Sequence, residues 1–457
     1  MEPSADSRPI PWALGSHPLL RLLPSLRWML WILNWVGVEG VGLGWDRVVR
    51  GPYLQSMTHE SVVIRWRTDS ANQGVVLYGT SLDAMTNRAA AAGEFTEHIV
   101  GLTGLRLNTR YYYAVGTSET RILAGGTFDY SFVTYPQPGP THPLRVWAVG
   151  DPGTANKDQR VVRDSFYEWA KDRPPDLWLM LGDNAYTIGT DKQYQKAVFE
   201  MYDKLLRSSC LWPTLGNHDA GSANSDTQSG VYFDVFSLPT LGQAGGVPSG
   251  TEAFYAFDCA NIHFVCLDSE GSDRSSTGAM ARWLKADLES TRQDWVVTFF
   301  HHPPYSKGSH DSDNPKDSGG RLRDMREKIL PILEEGGVDL VLCGHSHSYE
   351  RSYLLDGHYD VSTNLVPKRM IKNAGDGRLD GNGAYVKPAG RPPHEGAVYV
   401  VAGSSGQVTG GKLNHPVMYV SVNKLGSIVL DFNGLELDLT FLGDRGQRLD
   451  YFTLRKH

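Results

Sequence analysis

The stretch DLWLMLGDNAY, residues 176–186, decides the fold of this chain. Its continuous apolar run ends abruptly on Gly182 and Asp183, as expected of a buried strand followed by a loop. Four other apolar runs also end on a polar side chain: LRVWAVGD (144–151), CLWPTLGN (210–217), WVVTFFH (295–301) and VDLVLCGH (338–345). In open α/β sheets, ligands collect at the carboxyl ends of the strands. The sequence therefore predicts that these five strand ends share one edge of a sheet and form a site there.

Helical segments separate the first of these runs. Residues 157–172 and 191–207 carry apolar side chains at helical spacing. Asp183 follows Asp151 by 32 residues and Asn217 follows Asp183 by 34, which suits β-α-β units of about 30 residues. This alternation indicates an α/β domain with a mostly buried sheet. Further strands are expected within residues 255–268, 397–406 and 427–442.

The composition excludes several classes of protein. The 457 residues include 44 basic and 51 acidic side chains, for a net charge of −7, whereas a general nucleic-acid binder needs a basic face. Hydrophobic residues make up 40% and charged residues 21%, so the chain can bury a core and is not disordered by composition. The 49 glycines and 25 prolines indicate many turns. A collagen, a coiled coil and a polytopic membrane protein are excluded.

Residues 46–137 are predicted to form a β-sandwich, because short strand-forming runs alternate with turn residues and no helical stretch interrupts them. These runs are SVVIRWRT (61–68), GVVLY (74–78), YYYAV (111–115) and YSFVT (130–134). The Pro- and Gly-rich segment 135–142 is typical of a linker. The α/β domain is expected to occupy residues 138–457.

Residues 1–45 precede both domains. Arg21 and Arg27 stand before an apolar run at residues 28–38, an order that is typical of a cleaved export signal. The run is short for a membrane span, and an uncleaved anchor or an ordinary buried arm stays open. We therefore expect an exported protein, either secreted or periplasmic.

The four cysteines contain no Cys-x-x-Cys pair and are too few for a disulfide-built scaffold of this size. A cysteine-based zinc site is therefore not expected. We expect buried, reduced side chains, with one disulfide left as the alternative.

The five strand ends supply donors that suit transition metals. They offer two carboxylates, a phenol, an amide and three imidazoles, from Asp151, Asp183, Tyr186, Asn217, His301, His345 and His347. This mixture of oxygen and nitrogen donors favours Zn, Mn or Fe over Ca or Mg. A tyrosine ligand favours Fe(III), whose high charge stabilises phenolate. Glycine precedes four of the five ends, where we expect it to let the backbone turn sharply.

The five signatures in this order resemble the metallophosphoesterase superfamily. Tyr186, three residues after Asp183, narrows the resemblance to the purple acid phosphatases, and GHSHSYER at 344–351 resembles that family's GHxHxYER. The resemblance implies a fibronectin type III-like β-sandwich followed by an α/β metallophosphoesterase domain of four layers, αββα. It covers essentially the whole chain from Val48 onward.

The front part carries a resemblance of its own. Leu105, Thr109, Tyr111 and Tyr113 resemble the L-x-P-x-T-x-Y-x-Y run of fibronectin type III domains, with Leu107 where that family commonly has Pro. Such a run implies a tyrosine corner, in which a buried ring is tied by its hydroxyl to nearby backbone.

Two metal ions with one shared ligand are implied by the resemblance. The first ion, expected to be Fe(III), would be held by Asp151, Asp183, Tyr186 and His347. The second, a divalent Zn, Fe or Mn ion, would be held by Asp183, Asn217, His301 and His345.

Either of two adjacent histidines can be the ligand at the fourth strand end. Thr298 stands three residues before His301, where the family commonly has Val, and His302 follows His301 directly. We choose His301 as the ligand, because the family's H-x-P-x-Y/W spacing then falls on Pro303 and Tyr305. His302 is the ligand under a slip of one residue.

The implied activity is hydrolysis of phosphate monoesters by an acid phosphatase. Metal-bound water loses its proton near neutral pH or below, so hydroxide would attack phosphorus while an imidazole protonates the leaving oxygen. His310 occupies the place of the family's proton donor, and His218 resembles its phosphate contact. Substrate binding is assigned to Asn217, His218 and His310. A structural role for His218 and a solvated loop position for His310 stay open.

Two other functions stay open. A phosphodiesterase acting on nucleotides or other phosphodiesters would use the same scaffold, and comparing rates on a monoester and a diester distinguishes it. A non-catalytic binding protein is less expected, because every ligand is present. The expected partners are small-molecule phosphate esters, with no nucleic acid and no stable membrane partner, and a homo-oligomer is left open.

Several other polar side chains are expected to have no special role. The acidic residues Asp311, Asp313 and Asp317 are interpreted as a solvated loop face, and His98 and His263 as ordinary side chains.

Overall fold

The computed structural model describes residues 46–457. The apolar run at 28–38, and with it the predicted export signal, lies outside the described residues. Among the helices that are described, none is both long and apolar enough to cross a membrane. All four cysteines are buried and unpaired, as expected of reduced side chains.

Six strands form the front part of the chain. They are β1 (Val48–Gln55), β2 (Val62–Gly79), β3 (Asn87–Leu102), β4 (Arg110–Ser118), β5 (Arg121–Gly125) and β6 (Ser131–Val133). The order is β1-β2-β4-β5, with β3 paired to β2 and β6 to β4. The runs predicted as separate strands at 61–68 and 74–78 are one strand, β2, whose pairing with β3 is irregular between Arg67 and Val75. A β-rich front domain is confirmed, and its fibronectin-like arrangement stays a prediction.

Aromatic side chains fill this front domain. Trp66 and Tyr113 are completely buried, and Tyr111 stacks on Phe132 with 5.7 Å between ring centroids. The hydroxyl oxygen of Tyr111 accepts a hydrogen bond of 3.0 Å from the backbone N–H of Arg106. This is the tyrosine corner that the sequence indicated.

The remainder of the chain contains two seven-stranded sheets. The first has the order β19-β24-β23-β22-β7-β8-β9, with β7 (Leu144–Val149), β8 (Leu177–Met180), β9 (Cys210–Pro213), β19 (Tyr385–Lys387), β22 (Gly426–Asn433), β23 (Glu436–Gly443) and β24 (Arg448–Lys456). The second has the order β12-β13-β14-β15-β20-β16-β21, with β12 (Tyr255–Cys259), β13 (Ile262–Cys266), β14 (Trp295–Phe300), β15 (Leu340–Cys343), β16 (Tyr349–Ser352), β20 (Val398–Ala402) and β21 (Met418–Val422). Two small ribbons complete the strands: β10 (Ala223–Asn224) with β11 (Ser229–Gly230), and β17 (Leu354–Leu355) with β18 (Ile371–Asn373).

The helices are mostly short. They are α1 (Lys157–Trp169), α2 (Asp191–Tyr194), α3 (Asp203–Leu206), α4 (Val231–Val235), α5 (Ala279–Ser290), α6 (Arg321–Asp324), α7 (Leu330–Glu335) and α8 (Pro367–Met370). The segment 191–207, expected to be one helix, is instead α2, a π-helical turn at Gln195–Phe199 and α3. The helix predicted at 157–172 is α1, which begins at the cap Asn156.

Large aromatic rings pack between the two sheets. Trp212 of β9 stacks on Phe257 of β12 at 3.9 Å, and Tyr349 of β16 stacks on Phe441 of β23 at the same centroid distance. On the outer face of the first sheet, Phe166 of α1 stacks on Trp147 of β7. This layering confirms the predicted α/β domain.

The five strand ends come from both sheets. Strands β7, β8 and β9 run parallel in the first sheet, whereas β14 and β15 run parallel in the second. The prediction that all five ends share the edge of one sheet is therefore wrong. They meet because the two sheets are packed face to face with these carboxyl ends at the same side.

Arginine side chains tie the front sheet to the α/β domain. The Asp191 carboxylate at the start of α2 accepts hydrogen bonds of 2.8 Å from Arg50 and from both terminal nitrogens of Arg67. The hydroxyl of Tyr53 donates to the backbone oxygen of Val235 at 2.7 Å. The front sheet thereby holds the loop that leads from β8 to α2.

The backbone turns at the strand ends are made by the polar residues themselves. Asp151, Asp183 and His345 have φ angles of 54°, 51° and 68°, and among the four preceding glycines only Gly182 has a positive φ. The expectation that glycine supplies the turn is therefore wrong at the other three ends. Left-handed backbone at non-glycine residues is uncommon and clusters at functional sites.

Glycine is required at these ends for a different reason: neighbouring atoms come too close to leave room for a Cβ atom. A Cβ atom on Gly344 would lie 2.5 Å from Asp151 Oδ2 and 2.7 Å from the backbone oxygen of Leu181. A Cβ on Gly150 would lie 2.6 Å from the backbone oxygen of Ala402. The loops of the two sheets thus touch without room for a methyl group.

We expect Gly344→Ala to lower the free energy of unfolding by about 1–3 kcal/mol, the usual cost of overpacking. Thermal unfolding followed by circular dichroism measures the loss. Gly101→Ala is the matched control, because no atom lies within 4 Å of its added Cβ and its φ is not positive. Equal unfolding midpoints for the two variants would contradict the close-approach explanation.

His263 of β13 is buried between two carboxylates, so its interpretation as an ordinary side chain is wrong. Its Nδ1 lies 2.7 Å from Asp258 Oδ1 and its Nε2 lies 2.7 Å from Asp287 Oδ2. Burial disfavours a charged imidazole, but the hydrogen bonds to Asp258 and Asp287 outweigh it and raise the pKa of His263 to about 9.

The raised pKa of His263 gives stability that depends on pH. The contribution is fully present below the unfolded pKa of about 6.5 and is lost as pH rises through about 9, a change of about 3 kcal/mol. We expect the unfolding midpoint of His263→Gln to fall less than that of the wild type between pH 6.5 and 9.5, in metal-free buffer. His98→Gln is the control, since burial lowers the pKa of His98 to about 4. Parallel curves for wild type and His263→Gln would refute the assignment.

Candidate metal centre

All seven side chains that the sequence selected as ligands lie together where the two sheets meet. Asp151, Asp183 and Asn217 follow β7, β8 and β9, while His301 follows β14 and His345 follows β15. Tyr186 and His347 are carried by the loops that continue from Asp183 and His345. Donor atoms of Asp151, Asp183 and His301 lie within 4.8 Å of one another, so these residues could hold a metal ion.

Asp151, Tyr186 and His347 form one half of this cluster. The Tyr186 hydroxyl lies 3.1 Å from Asp151 Oδ1 and 3.1 Å from His347 Nε2. The distance between His347 Nε2 and Asp151 Oδ1 is 3.5 Å. Three donor atoms thus converge on one point.

Asn217, His301 and His345 form the other half. Asn217 Oδ1 lies 3.0 Å from both His301 Nε2 and His345 Nδ1, and the two nitrogens are 3.2 Å apart. Asp183 Oδ1 lies 3.4 Å from His301 Nε2. Since a donor atom of Asp183 also lies within 4.8 Å of one from Asp151, Asp183 is next to both halves.

The neighbour His302 has different contacts from His301. Its Nδ1 lies 2.9 Å from Ser269 Oγ, and its Nε2 lies 3.5 Å from Glu270 Oε2. A nitrogen of His302 is still within 4.8 Å of the His301 and His345 donors. His301 alone of the pair contacts both Asn217 and Asp183, which favours the register chosen from the sequence.

A hydrogen bond fixes the outward-facing ring nitrogen of each candidate histidine. His301 Nδ1 lies 2.9 Å from the backbone oxygen of Leu181, His345 Nε2 lies 2.5 Å from Ser318 Oγ, and His347 Nδ1 lies 3.1 Å from Thr409 Oγ1. Metal-binding histidines usually have such partners, which fix the ring orientation. The donor set and these outer contacts fit a pair of transition-metal ions.

Burial and neighbouring charges shift the pKa values of the side chains in the cluster in different directions. Burial alone would raise the pKa of Asp183, but its attraction to His301 and His218 and its hydrogen bonds lower it to about 2. His301 has a pKa raised to about 10, because attraction to Asp183 exceeds the effect of burial. Burial and the neighbouring imidazoles lower the pKa of His345 well below its usual value, so its nitrogen lone pair is free to bind a cation.

Tyr186 is a neutral phenol in this environment. Burial, together with the charges of Asp151 and Asp183, raises its pKa well above the usual value. Its ring packs 4.4 Å from that of His218. Phenolate would require a strong positive charge at the Tyr186 oxygen.

His310 and His218, the two histidines assigned to catalysis and substrate binding, lie on either side of the cluster. The His310 ring stacks on His345 at 3.8 Å, and its Nδ1 lies 2.8 Å from Asp317 Oδ1. His218 Nε2 lies 3.9 Å from Asp183 Oδ2, and its Nδ1 lies 2.6 Å from the backbone oxygen of Thr187. Both side chains are about one third exposed, so a molecule in solution reaches them.

The acidic loop is partly exposed, as a solvated face would be, but its carboxylates are paired with basic side chains, which the sequence did not indicate. Asp317 contacts His310, while Asp311 and Asp313 each lie 2.8 Å from Lys307 Nζ. No spacing rule pointed to Asp317, to Ser318 or to Thr409 as neighbours of the candidate histidines. The only sequence feature that could have indicated such a neighbour is the presence of acidic side chains a few residues after His310.

Two family models match this chain in series. The purple acid phosphatase N-terminal domain matches residues 52–134, and the calcineurin-like phosphoesterase domain matches residues 144–349. The order of the two domains agrees with the order of the two folded parts described above.

Curated relatives carry the same family name. The chain is 28% identical to purple acid phosphatase 23 of Arabidopsis thaliana over 292 residues, which cover 57% of this chain and 59% of that protein. It is 26% identical to purple acid phosphatase 1 of Ipomoea batatas over 327 residues, which cover 67% of this chain and 64% of that protein. The chain thus spans less than two thirds of the length of these relatives.

Solved structures share the fold. Purple acid phosphatase PPD1 from yellow lupin seeds superposes with a TM-score of 0.64 at 17% identity, over 90% of this chain and 74% of that one. PhoD superposes with a TM-score of 0.58 at 12% identity, over 89% of this chain and 90% of that one. With two domains matched in order, the chain is a purple acid phosphatase-like protein of the calcineurin-like phosphoesterase superfamily.

Proposed function

We propose that this protein hydrolyses phosphate monoesters in mildly acidic solution as a binuclear metalloenzyme. The observation that carries the proposal is the convergence of seven donor side chains from five strand ends. Asp151, Asp183, Tyr186 and His347 would hold Fe(III). Asp183, Asn217, His301 and His345 would hold a divalent Zn, Fe or Mn ion.

The choice of Fe(III) rests on Tyr186. Its buried hydroxyl lies 3.1 Å from both Asp151 Oδ1 and His347 Nε2, so it takes part in the donor cluster. Because burial and the two aspartates raise the pKa of Tyr186, only a highly charged ion would make it a phenolate ligand. When bound, the two ions supply Lewis acidity that activates water and neutralises phosphate charge.

His310 is proposed to protonate the leaving oxygen. Asp317 occupies Nδ1 of the ring and fixes its orientation, so Nε2 is the nitrogen that transfers a proton. As the P–O bond breaks, the electron pair stays on the ester oxygen, which takes the His310 proton and departs as an alcohol. Asp317 is a positioning residue in this step.

His218 and Asn217 are proposed to bind the phosphate group. His218 lies across the cluster from His310 and is held by the Thr187 backbone oxygen, which leaves its Nε2 directed at the Asp183 side. Because Nδ1–H is donated to Thr187, the ring offers an Nε2–H to a phosphate oxygen in its imidazolium form. The side-chain amide of Asn217 would contact both the substrate and the ion. Export of the protein remains part of the proposal, since the predicted signal within residues 1–45 lies outside the described part.

We expect two metal ions at this centre and a visible phenolate-to-iron absorption band. Tyr186→Phe should abolish the band, whereas Tyr167→Phe, which changes a partly buried tyrosine beside Arg163, should retain it. Elemental analysis, a visible spectrum and rates on matched mono- and diesters are the measurements. A colourless protein with a single zinc would overturn the iron assignment, and faster turnover of the diester would replace the phosphatase with a phosphodiesterase.

We expect Asp317→Asn to lower kcat on an alkyl phosphate by about 10- to 100-fold, because acid catalysis typically contributes 10²–10⁴-fold and the change weakens it. KM should change little. The loss should shrink on an aryl phosphate whose leaving group needs no proton. Asp311→Asn, which removes a partner of Lys307 on the same loop, is the control. Equal losses on both substrates would show that Asp317 supports the loop and not the proton transfer.

A further inference from the structure

A second cluster of metal-binding side chains lies at the other end of β15. Glu334 is near the end of α7, just before β15, whereas the candidate metal centre follows the strand. Asp356 follows β17, and His394 belongs to the loop before β20. One donor atom from each of these three residues lies within 4.8 Å of the other two. The cluster shares no residue with the centre described above.

The three donors are held in place by backbone and ring contacts. His394 Nδ1 lies 3.0 Å from Asp356 Oδ1, and the His394 backbone N–H donates to the Glu334 backbone oxygen at 3.1 Å. Glu334 accepts hydrogen bonds from the hydroxyls of Tyr359 and Tyr399. Metal-binding carboxylates are commonly hydrogen-bonded in this way.

A carboxylate also holds the far side of the His394 ring. Glu335 Oε2 lies 3.1 Å from His394 Nε2, on the nitrogen that faces away from Asp356. A carboxylate on one nitrogen and an ion on the other is the arrangement that orients zinc-bound histidines. The same outer contact is present at His301, His345 and His347 of the first centre, where the partners are neutral oxygens.

Negative charge is in excess around this histidine. Three carboxylates, those of Glu334, Glu335 and Asp356, face His394 and the Lys372 ammonium, whose nitrogen is 3.9 Å from Asp356 Oδ2. A divalent cation would supply the missing positive charge.

A cavity of about 630 Å³ lies beside the cluster, and His394 is the proposed ligand that lines it. Its lining includes Glu335, Tyr359, Arg391 and His394. With 46% of its side chain exposed, His394 is open to an ion and to a water molecule that would complete the coordination of three protein ligands.

We propose that Glu334, Asp356 and His394 bind a third divalent cation of the zinc class, with Glu335 orienting His394. Mixed carboxylate and imidazole donors suit zinc. The ion would tie the end of α7 to the loops after β17 and before β20. Its role is structural, and the site does not depend on the proposed phosphatase function.

Zinc titration of chelator-stripped protein tests the proposal. We expect three tightly bound Zn²⁺ per wild-type chain, by calorimetry and elemental analysis, and two in His394→Gln. The double variant Asp183→Asn/His345→Gln disables the first centre and should retain one Zn²⁺, whose addition raises the unfolding midpoint. His142→Gln, a linker histidine whose Nε2 lies 3.4 Å from Asn108 Nδ2, is the matched control and should bind three.

The variant Glu335→Gln tests whether Glu335 orients His394 as a metal ligand or only forms an ion pair with it. It should weaken Zn²⁺ binding at this site about 10- to 100-fold, the usual effect of removing an outer partner.

Two Zn²⁺ in both wild type and His394→Gln would overturn the proposal, with His394 then an imidazolium between Asp356 and Glu335. If the double variant does not fold, the stoichiometries of wild type and His394→Gln decide alone. Absence of phosphatase activity in protein that carries iron and zinc at the first centre and still binds the third Zn²⁺ would refute the proposed function and leave this site intact.

Discussion

Contact between loops of two facing sheets is the constraint on which the candidate metal centre depends. Strands β7, β8 and β9 deliver Asp151, Asp183 and Asn217 from one sheet, while β14 and β15 deliver the histidines from the other. Aromatic rings such as Trp212 and Phe257 fix the spacing between the sheets. At the edge, the Gly344 backbone approaches Asp151 so closely that a Cβ has no room. Packing in the core thereby sets the distances between donors.

Hydrogen bonds outside the cluster then decide how each ring is oriented. A backbone oxygen fixes His301, while the hydroxyls of Ser318 and Thr409 fix His345 and His347. Attraction to Asp183 raises the pKa of His301 against the effect of burial, whereas burial and the neighbouring imidazoles lower the pKa of His345. Such a site is organised before an ion binds, which lowers the reorganisation that binding requires.

Much of the fold could be predicted because its signals are local. The apolar runs at β7, β8, β14 and β15 fall where the sequence placed them. Strand β3 escaped notice, because its Ala-rich first half lacks strand-forming residues and is held by pairing with β2. Asp317 was misjudged for a related reason, since loop geometry, and not residue spacing, brings it to His310.

The sequence by itself determined which donors are available and that they stand at strand ends, because apolar runs and the polar residues that end them are neighbours in the chain. Only the tertiary structure decided that the ends belong to two sheets and that His301 contacts Asn217 and Asp183. It alone joined Glu334 to His394, which is 60 residues further along. The physical reason is that side-chain contacts between distant segments follow from the packing of the core, which no local pattern encodes.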